Sequence, residues 1–215
     1  MKSYNIIYED NYIIVIDKPS GLLVIPTPKR ETNTLTDLLN RDLDDRKVEV
    51  NAYPCHRLDR ETSGLIVYAK GKKMQQAVME QFKERKVKKF YIAFAQGRVK
   101  KEAGIIDRAI YNRNKLRSEN AVTKYKVLER RNGFSILEVE PMTGRTNQIR
   151  IHMKEIGHPL LGERIYAFRK DFKIKFKRVA LHASHIEFTH PAYGRKLEFS
   201  SEVPQDMRAV IDNRS

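Results

Sequence analysis

The stretch His56–Gly64, His-Arg-Leu-Asp-Arg-Glu-Thr-Ser-Gly, places one carboxylate between two guanidinium groups just before an apolar run. Asp59 lies between Arg57 and Arg60, and the apolar residues from Leu65 to Ala69 predict a strand. Nearby positive charges favour the ionised form of a carboxylate, and a carboxylate held in a fixed direction can act as a nucleophile. The same residues are also typical of a structural ion pair that closes a turn. Taken alone, this stretch leaves a nucleophilic Asp59 and a structural Asp59 as two open interpretations.

Several other short segments accompany this stretch in a fixed order along the chain. They are DKPSGL at 17–22, KFYIA at 89–93, GRTNQIRIH at 144–152, GHPLLG at 157–162, LHA at 181–183 and HP at 190–191. With these segments, the chain resembles the RluA-type family of RNA pseudouridine synthases from about residue 4 to about residue 205. In this resemblance Asp59, which follows His-Arg-Leu, matches the catalytic aspartate of the family.

The resemblance implies a mixed α/β fold of the α+β kind. A largely antiparallel sheet is expected to bend into two halves, with helices packed around it and a central catalytic cleft. The sequence pattern contains hairpins and no strict βαβ alternation, which argues against a doubly wound parallel sheet. We expect residues 1–215 to form a single pseudouridine synthase catalytic domain, without the extra N-terminal RNA-binding domain that many relatives carry.

The reaction that the resemblance implies detaches uracil at N1, turns it and rejoins it through C5 to the ribose C1′. Because this isomerisation needs no redox step or group donor, we expect no cofactor, and the chain lacks GxGxxG, P-loop and paired CxxC motifs. Asp59 is the expected nucleophile. Tyr91 is expected to stack near the target base, and Arg150 to form the ion pair that orients Asp59. Without the resemblance, ordinary strand packing for Tyr91 and a solvated helix position for Arg150 would be preferred.

Residues of the same motifs are expected to bind the RNA. Arg57 is expected to enter the space that an extruded uridine leaves, because a planar guanidinium can stack there. We expect His56 to orient the loop, and Lys18 to contribute to substrate binding or to the structure of the cleft. The other RNA-binding candidates are basic residues of the motifs and of an alternating basic stretch: Arg60, Arg145, Lys173, Lys175 and Lys177. A solvated charged loop is the alternative for that stretch, and for a second basic segment from Arg108 to Arg117.

Two positions depart from the family pattern. Asn147 stands where relatives often carry His in a Gly-Arg-Thr-His-Gln string, and Glu163 follows Gly162 where Asp is commoner. Asn keeps a donor and an acceptor but does not titrate. An obligatory acid or base at position 147 is therefore excluded if the chain is active.

Composition points to a polyanionic partner. Lys and Arg total 42 against 27 acidic residues among 215, which gives a net charge of +15 and a pI near 9.8. Such an excess favours nucleic acid over a membrane surface, since interfacial helices usually carry Trp or Phe anchors and the chain has no Trp. With one cysteine, Cys55, no internal disulfide can form, which suits a reducing cytoplasm. The six histidines show no tight zinc spacing, so no metal site is expected.

Local patterns predict the main elements. Strands are expected at 4–8, 12–16, 21–25, 65–69 and 90–95, and again within 179–199 on either side of a turn at 190–194. A hairpin is expected from 123–128 and 134–139 around Arg131-Asn132-Gly133. Helices are expected after Thr34, over 72–85 and over 147–156. For Cys55, and for His152, His158, His182 and His190, packing is expected rather than catalysis.

The sequence favours a cytoplasmic, monomeric RNA-uridine isomerase of the RluA type that acts on structured ribosomal or transfer RNA. The first alternative is a non-catalytic RNA-binding or ribosome-assembly protein on the same fold, against which Asp59, Tyr91 and Arg150 weigh. A second alternative, a nuclease or glycosylase, would need a metal cluster or would leave an abasic product.

Overall fold

A computed structural model describes residues 4–112, 115–167 and 174–212 of the chain. The chain divides into two compact units, the first of Met1–Lys88 with His185–Ser201 and the second of Lys89–Ser184 with Glu202–Ser215. Within the described residues each unit contains antiparallel strands and helices. The mixed α+β class with largely antiparallel pairing is therefore confirmed, whereas the grouping of residues 1–215 into one catalytic domain stays a prediction.

The first unit is built on antiparallel strand pairs. Its elements are β1 (Asn5–Glu9), β2 (Ile13–Lys18), α1 (Leu35–Asp45), β3 (Ala52–Pro54), β4 (Ser63–Lys70), α2 (Lys72–Lys83), the His185–Thr189 part of β11 (Leu181–Thr189), and β12 (Lys196–Ser200). Antiparallel pairs join β1 to β2, β2 to β4, β3 to β4 and β11 to β12. Strand residues pack with Val78 of α2 in one buried apolar cluster. This packing fixes both ends of the segment between β3 and β4, which carries Asp59.

The start of α1 shows how local sequence decides an element. Thr34 accepts from the backbone N–H of Asp37, and the Asp37 side chain accepts from the backbone N–H of Thr34, a capping box as predicted. The strand predicted at 21–25 is wrong, because this segment is irregular. Its carbonyl groups at Leu23 and Val24 instead accept from the first backbone N–H groups of the helix region, at Leu35 and Thr36.

The second unit contains a four-stranded antiparallel arrangement in the order β5 (Lys88–Gln96), β10 (Phe134–Pro141), β9 (Val122–Arg131) and β6 (Ala103–Asp107). It also contains the hairpin of β7 (Ile110–Asn112) and β8 (Arg117–Glu119), then α3 (Gln148–Glu155) and α4 (Gln205–Asp212). The predicted hairpin around Asn132-Gly133 is present, and Gly133 has the positive φ of 86° that such a turn requires. Phe94, Phe134 and Met207 lie in the apolar core of this unit.

Among the helices within the described ranges, none is long and apolar enough to cross a membrane.

Candidate active site

Asp59 lies on a tight turn between β3 and β4. Its carbonyl oxygen accepts from the backbone N–H of Thr62 at 3.1 Å, which closes the turn. Leu58 on one side is 6% exposed, and Thr62 and Ser63 on the other are 2% and 4% exposed, whereas Asp59 itself is half-buried. The carboxylate therefore belongs to a segment whose neighbours are anchored in the interior of the first unit.

A buried lysine, Lys18, donates hydrogen bonds to the backbone of this turn and of the loop beside it. The side chain of Lys18 is fully buried, and its Nζ donates to the carbonyl oxygens of Pro19 at 2.8 Å, Leu22 at 2.9 Å and Arg60 at 3.3 Å. These three acceptors match the three N–H groups of an ammonium. Of the two roles considered for Lys18, RNA contact and support of the site, this position favours support.

The loop after Lys18 binds the Asp59 turn directly. The backbone N–H of Gly21 donates to the carbonyl oxygen of Arg60 at 2.8 Å, and Arg60 Nε donates back to the carbonyl oxygen of Gly21 at 3.0 Å. Ser20 Oγ donates to the carbonyl oxygen of Glu61 at 2.7 Å. Gly21 has a φ of 89°, where a side chain would be strained. The DKPSGL segment therefore holds the turn carrying Asp59 in place through hydrogen bonds to Arg60 and Glu61.

His56 fixes the start of the same segment. Its Nε2 accepts from the backbone N–H of Val67 at 3.1 Å, and its ring lies 4.8 Å from the ring of Phe82 between centroids. A protonated imidazole has no acceptor, so this hydrogen bond requires the neutral form. The contacts agree with the loop-orienting role expected for His56.

The neighbouring Cys55 is a buried thiol. Burial raises its pKa to about 12, so the thiol stays protonated near neutral pH. The alternative of a thiol nucleophile beside His56 is therefore not supported, and the expected packing role is confirmed.

Arg57 and Arg60 flank Asp59, and both have exposed side chains. Arg60 Nε donates to the carbonyl oxygen of Gly21, and this hydrogen bond restricts the position of the Arg60 guanidinium. With Lys18 and His56, these residues form the part of the predicted site that the first unit brings together.

Tyr91 belongs to the second unit, where it lies in β5 opposite Val139 of β10 and is 8% exposed. Lys89 is two residues earlier in the same strand, so its side chain leaves the strand on the same face as Tyr91. Burial lowers the pKa of Lys89 from its ordinary value. Sequence reasoning selected Tyr91 and passed over Lys89, although strand spacing was sufficient to place the two together.

Arg150 of α3 is 5% exposed and is held by a buried carboxylate. Its Nε donates to Glu163 Oε2 at 2.7 Å, and its Nη2 donates to Glu163 Oε1 at 2.8 Å. Nη1 donates to Asn147 Oδ1 at 2.9 Å, and the guanidinium carbon lies 5.3 Å from the ring centroid of Tyr166. The solvated helix position, which would have been preferred without the resemblance, is therefore wrong, since the guanidinium is buried and held in one direction. Glu163 and Tyr166 were not selected from the sequence as members of the site.

Glu163 is itself held in the ionised form. Burial acts to raise its pKa, but the hydrogen bonds from Arg150 and from the backbone N–H of Ile165 outweigh burial and lower it below the ordinary value. Its Oε1 accepts from three consecutive backbone N–H groups, at Arg164, Ile165 and Tyr166.

Other residues of the 144–152 motif bind the backbone at the base of the β7–β8 segment. Arg145 Nε donates to the carbonyl oxygen of Asn120 at 3.0 Å, and Gln148 Nε2 donates to that of Val122 at 2.9 Å. Gln148 Nε2 also donates to Thr123 Oγ1, which leaves the Thr123 hydroxyl to donate to His152 Nδ1. His152 Nε2 then donates to the carbonyl oxygen of Arg108 at 3.0 Å. The packing role expected for His152 is confirmed, and Arg145 is anchored rather than wholly presented to solvent.

The alternating basic stretch is described only in part. The alternating basic stretch runs over 168–178, and its residues 168–173, which include Lys173, lie outside the described residues. Arg113 of the second basic segment also lies outside them. Lys175 and Lys177 are exposed, whereas the side chain of Ile174 is 4% exposed and packs in the core of the second unit. The single basic face that the alternation predicts stays a prediction.

Across residues 4–112, 115–167 and 174–212, no three or more His, Cys, Asp or Glu side chains are grouped so that they could hold a metal ion.

Comparison with known proteins gives one consistent family. The family model described as RNA pseudouridylate synthase matches residues 12–155. The chain is 37% identical to a Bacillus subtilis protein named uncharacterized RNA pseudouridine synthase YlyB, over 97% of this chain and 72% of that protein. It is 39% identical to ribosomal large subunit pseudouridine synthase D of Neisseria meningitidis, over 96% of this chain but only 60% of that protein. It is 36% identical to the dual-specificity RNA pseudouridine synthase RluA of Yersinia pestis, over 92% of this chain and 98% of that protein.

A solved structure gives the same fold. Human RNA pseudouridylate synthase domain containing 4 matches with a TM-score of 0.82 and 25% identity, over 97% of this chain and 92% of that chain.

Proposed function

Because the chain belongs to the RNA pseudouridylate synthase family, we propose that it isomerises specific uridines of structured ribosomal or transfer RNA with Asp59 as nucleophile. The RNA substrate class and the isomerase activity follow from the family. A ribosomal RNA target is supported by a relative named as a ribosomal large subunit synthase. More than one kind of RNA target is supported by a relative named as a dual-specificity synthase. The net charge of +15 supports extensive contact with RNA phosphates. The proposal also includes that the protein acts in the cytoplasm and as a monomer.

The support of the Asp59 turn is the observation that carries this proposal. A nucleophile must approach the target nucleotide in one direction, and a displacement of about 1 Å can lower a rate by about 100-fold. The turn is fixed through Lys18 and Gly21 from one loop and is held near its start by His56. Such support is expected of a reacting carboxylate, whereas a structural Asp–Arg pair would need only its own partner.

Two residues of the second unit have proposed roles in the reaction. Tyr91, which pairs with Val139 in the sheet and is only slightly exposed, stacks near the target base. Arg150 supplies the guanidinium that pairs with Asp59 and orients it. Three of its five N–H groups are engaged by Glu163 and Asn147. A guanidinium held in this way can keep a carboxylate in one orientation.

Residues around Asp59 have proposed roles in RNA binding. Arg57, which is exposed next to Asp59, fills the stack after the uridine is extruded. Arg60 and Arg145 each donate to a backbone carbonyl oxygen through Nε, and they contact RNA through their Nη groups. Lys175 and Lys177, with Lys173, meet phosphates. Lys18 and His56 act on the substrate indirectly, through the position of the turn.

Replacing Asp59 with Asn tests the nucleophile. The amide has nearly the same shape but is a poor nucleophile, so pseudouridine formation in vitro should be abolished while RNA affinity stays within a few fold. Asp45→Asn, which makes the same charge change at an exposed position of α1, should retain full activity. Full turnover by a folded Asp59→Asn variant would remove Asp59 from this role.

Pseudouridine maps of total RNA with and without the gene would identify the target. A wild-type protein that binds RNA but changes no uridine in these maps would favour the non-catalytic alternative.

A further inference from the structure

We propose that Glu163 is a positioning residue for the reaction, which fixes the direction of the Arg150 guanidinium and so controls the rate of the chemical step. This inference rests on the proposed role of Arg150. It assigns a function to a residue that the sequence marked only as a departure from the family pattern, and it predicts an effect on rate without an effect on RNA affinity.

The contacts of Arg150 constrain its guanidinium on three sides. Glu163 binds the Nε–Nη2 edge with two nearly parallel hydrogen bonds of 2.7 and 2.8 Å. Such bidentate pairs define the plane of the guanidinium as well as its distance. Asn147 Oδ1 binds Nη1, and the ring of Tyr166 lies against the guanidinium. The remaining N–H directions of Arg150 are therefore set by these partners.

Glu163 is fixed without help from Arg150. Its Oε1 accepts from the backbone N–H groups of Arg164 at 3.0 Å, Ile165 at 2.8 Å and Tyr166 at 3.3 Å. The preceding Gly162 has a φ of 75°, and a Cβ there would collide with the carbonyl oxygen of Arg178. The carboxylate is thus presented by rigid backbone, and the causal order runs from Glu163 to Arg150.

Asn147 supports a directional role for this cluster. It adopts the left-handed conformation with φ 55° and ψ 22°, which Asn tolerates better than most residues. Its Oδ1 accepts from Arg150 while its Nδ2 donates to the hydroxyl of Tyr166 at 2.8 Å. Each polar atom of this amide therefore contributes to the orientation of Arg150 or of the ring beside it.

A buried ion pair by itself is weak evidence for stabilisation. Replacing such a pair with apolar residues of similar volume is often neutral or stabilising, because both charges lose their hydration. The Arg150–Glu163 pair, with side-chain exposures of 6% and 0%, is of this kind. A role in orienting the Arg150 guanidinium for the reaction explains why a buried carboxylate is present at position 163.

A double-mutant cycle tests the proposal. Glu163→Gln, Arg150→Lys and the double variant are compared in single-turnover assays of pseudouridine formation at saturating protein, with RNA affinity and thermal unfolding measured in parallel. Glu163→Gln turns an amide N–H toward the donors of Arg150, so the rate should fall by about 100-fold while RNA affinity is unchanged. In the Arg150→Lys background the same change should have little further effect, because both residues act through one guanidinium.

Asp206→Asn is the matched control. Asp206 binds Arg178 of the same unit with two hydrogen bonds of 2.7 and 2.9 Å and has no proposed role in the reaction. This variant should lower the unfolding temperature and leave the rate constant unchanged. Glu163→Asp, which keeps the charge but shortens the side chain, provides a second test if the Gln variant does not fold, and it should reduce the rate to an intermediate value.

The outcomes distinguish failure of the inference from failure of the proposed function. If Glu163→Gln behaves like Asp206→Asn, or if its rate effect is equally large in the Arg150→Lys background, Glu163 is structural and the inference is wrong. A wild-type rate for folded Glu163→Asp would also overturn it. If Arg150→Lys itself leaves the rate unchanged, the proposed role of Arg150 is wrong and the inference falls with it.

Discussion

Replacement of Lys18 with Met tests whether the DKPSGL loop supports the Asp59 turn. Methionine keeps the length of the apolar stem but removes the ammonium that donates to three carbonyl oxygens. The carbonyl of Arg60 retains its hydrogen bond from Gly21, whereas those of Pro19 and Leu22 lose the donor described for them. An unsatisfied buried acceptor costs about 1–3 kcal/mol. Because Pro19 and Leu22 are only half-buried, we expect a total loss near the lower end, about 2–4 kcal/mol.

For a chain of this size, such a loss lowers Tm by roughly 4–16 °C. Turnover should fall by up to about 100-fold at temperatures where the variant is fully folded, since the turn carrying Asp59 loses the part of its support that Lys18 supplies. Thermal unfolding by circular dichroism measures the first effect. Tritium release from C5 of labelled uridine in a target RNA measures the second.

Lys70→Met is the matched control for Lys18→Met. The side chain of Lys70 is also largely buried, at 8% exposure, but its Nζ pairs with Glu9, which Arg46 also binds. This variant should lose little stability and keep its turnover. If Lys18→Met keeps wild-type stability and turnover, the supporting role of Lys18 is refuted. If it instead weakens RNA binding with normal stability, Lys18 belongs to the RNA-binding set.

Three further predictions concern RNA binding and metal ions. Arg57→Ala should chiefly slow turnover on a folded RNA, and a target uridine already held outside its stack should partly rescue it; weaker binding to all RNAs with normal turnover would make Arg57 a phosphate ligand. Replacing Lys173, Lys175 and Lys177 together should weaken binding to many RNAs. The slope of log binding constant against log salt concentration should become less steep by roughly 0.7 to 0.9 for each phosphate that the variant no longer neutralises. An unchanged slope would place these lysines away from the RNA. Activity should survive exhaustive chelation under conditions that keep the RNA folded, and a loss that only zinc restores would contradict the metal-free mechanism.

Local chemistry made several elements predictable from sequence. The capping box at Thr34 and the Asn132-Gly133 turn depend on residues within a few positions of each other, so their geometry is encoded in short segments. The strand predicted at 21–25 failed for the opposite reason. Its apolar residues satisfy a strand pattern, but the carbonyls of Leu23 and Val24 are taken by the start of α1, a contact that no pattern within 21–25 contains.

The candidate site also contains residues that local sequence predicts and contacts that it does not. Asp59, Tyr91 and Arg150 could be selected because each lies in a recognisable motif. Glu163 follows the GHPLLG motif and was noted only as a departure from the family pattern. Its role was not predicted, because its pairing with Arg150 spans 13 residues and depends on the turn at Gly162. Lys18 was selected, but its support of the turn became visible only with its carbonyl partners, since a buried and a solvent-exposed lysine look alike in sequence.

The amide at position 147 also changes the interpretation of the family pattern. The structure uses Asn147 as an acceptor for Arg150 and as a donor to Tyr166. A neutral imidazole, with one donor and one acceptor nitrogen, offers the same two functions. Neither use involves a change of protonation. If this chain is active, position 147 therefore needs no acid or base, and a pair of hydrogen bonds to Arg150 and Tyr166 is the role that the structure supports. Replacement of Asn147 with His should accordingly preserve the orientation of Arg150 better than replacement with Leu.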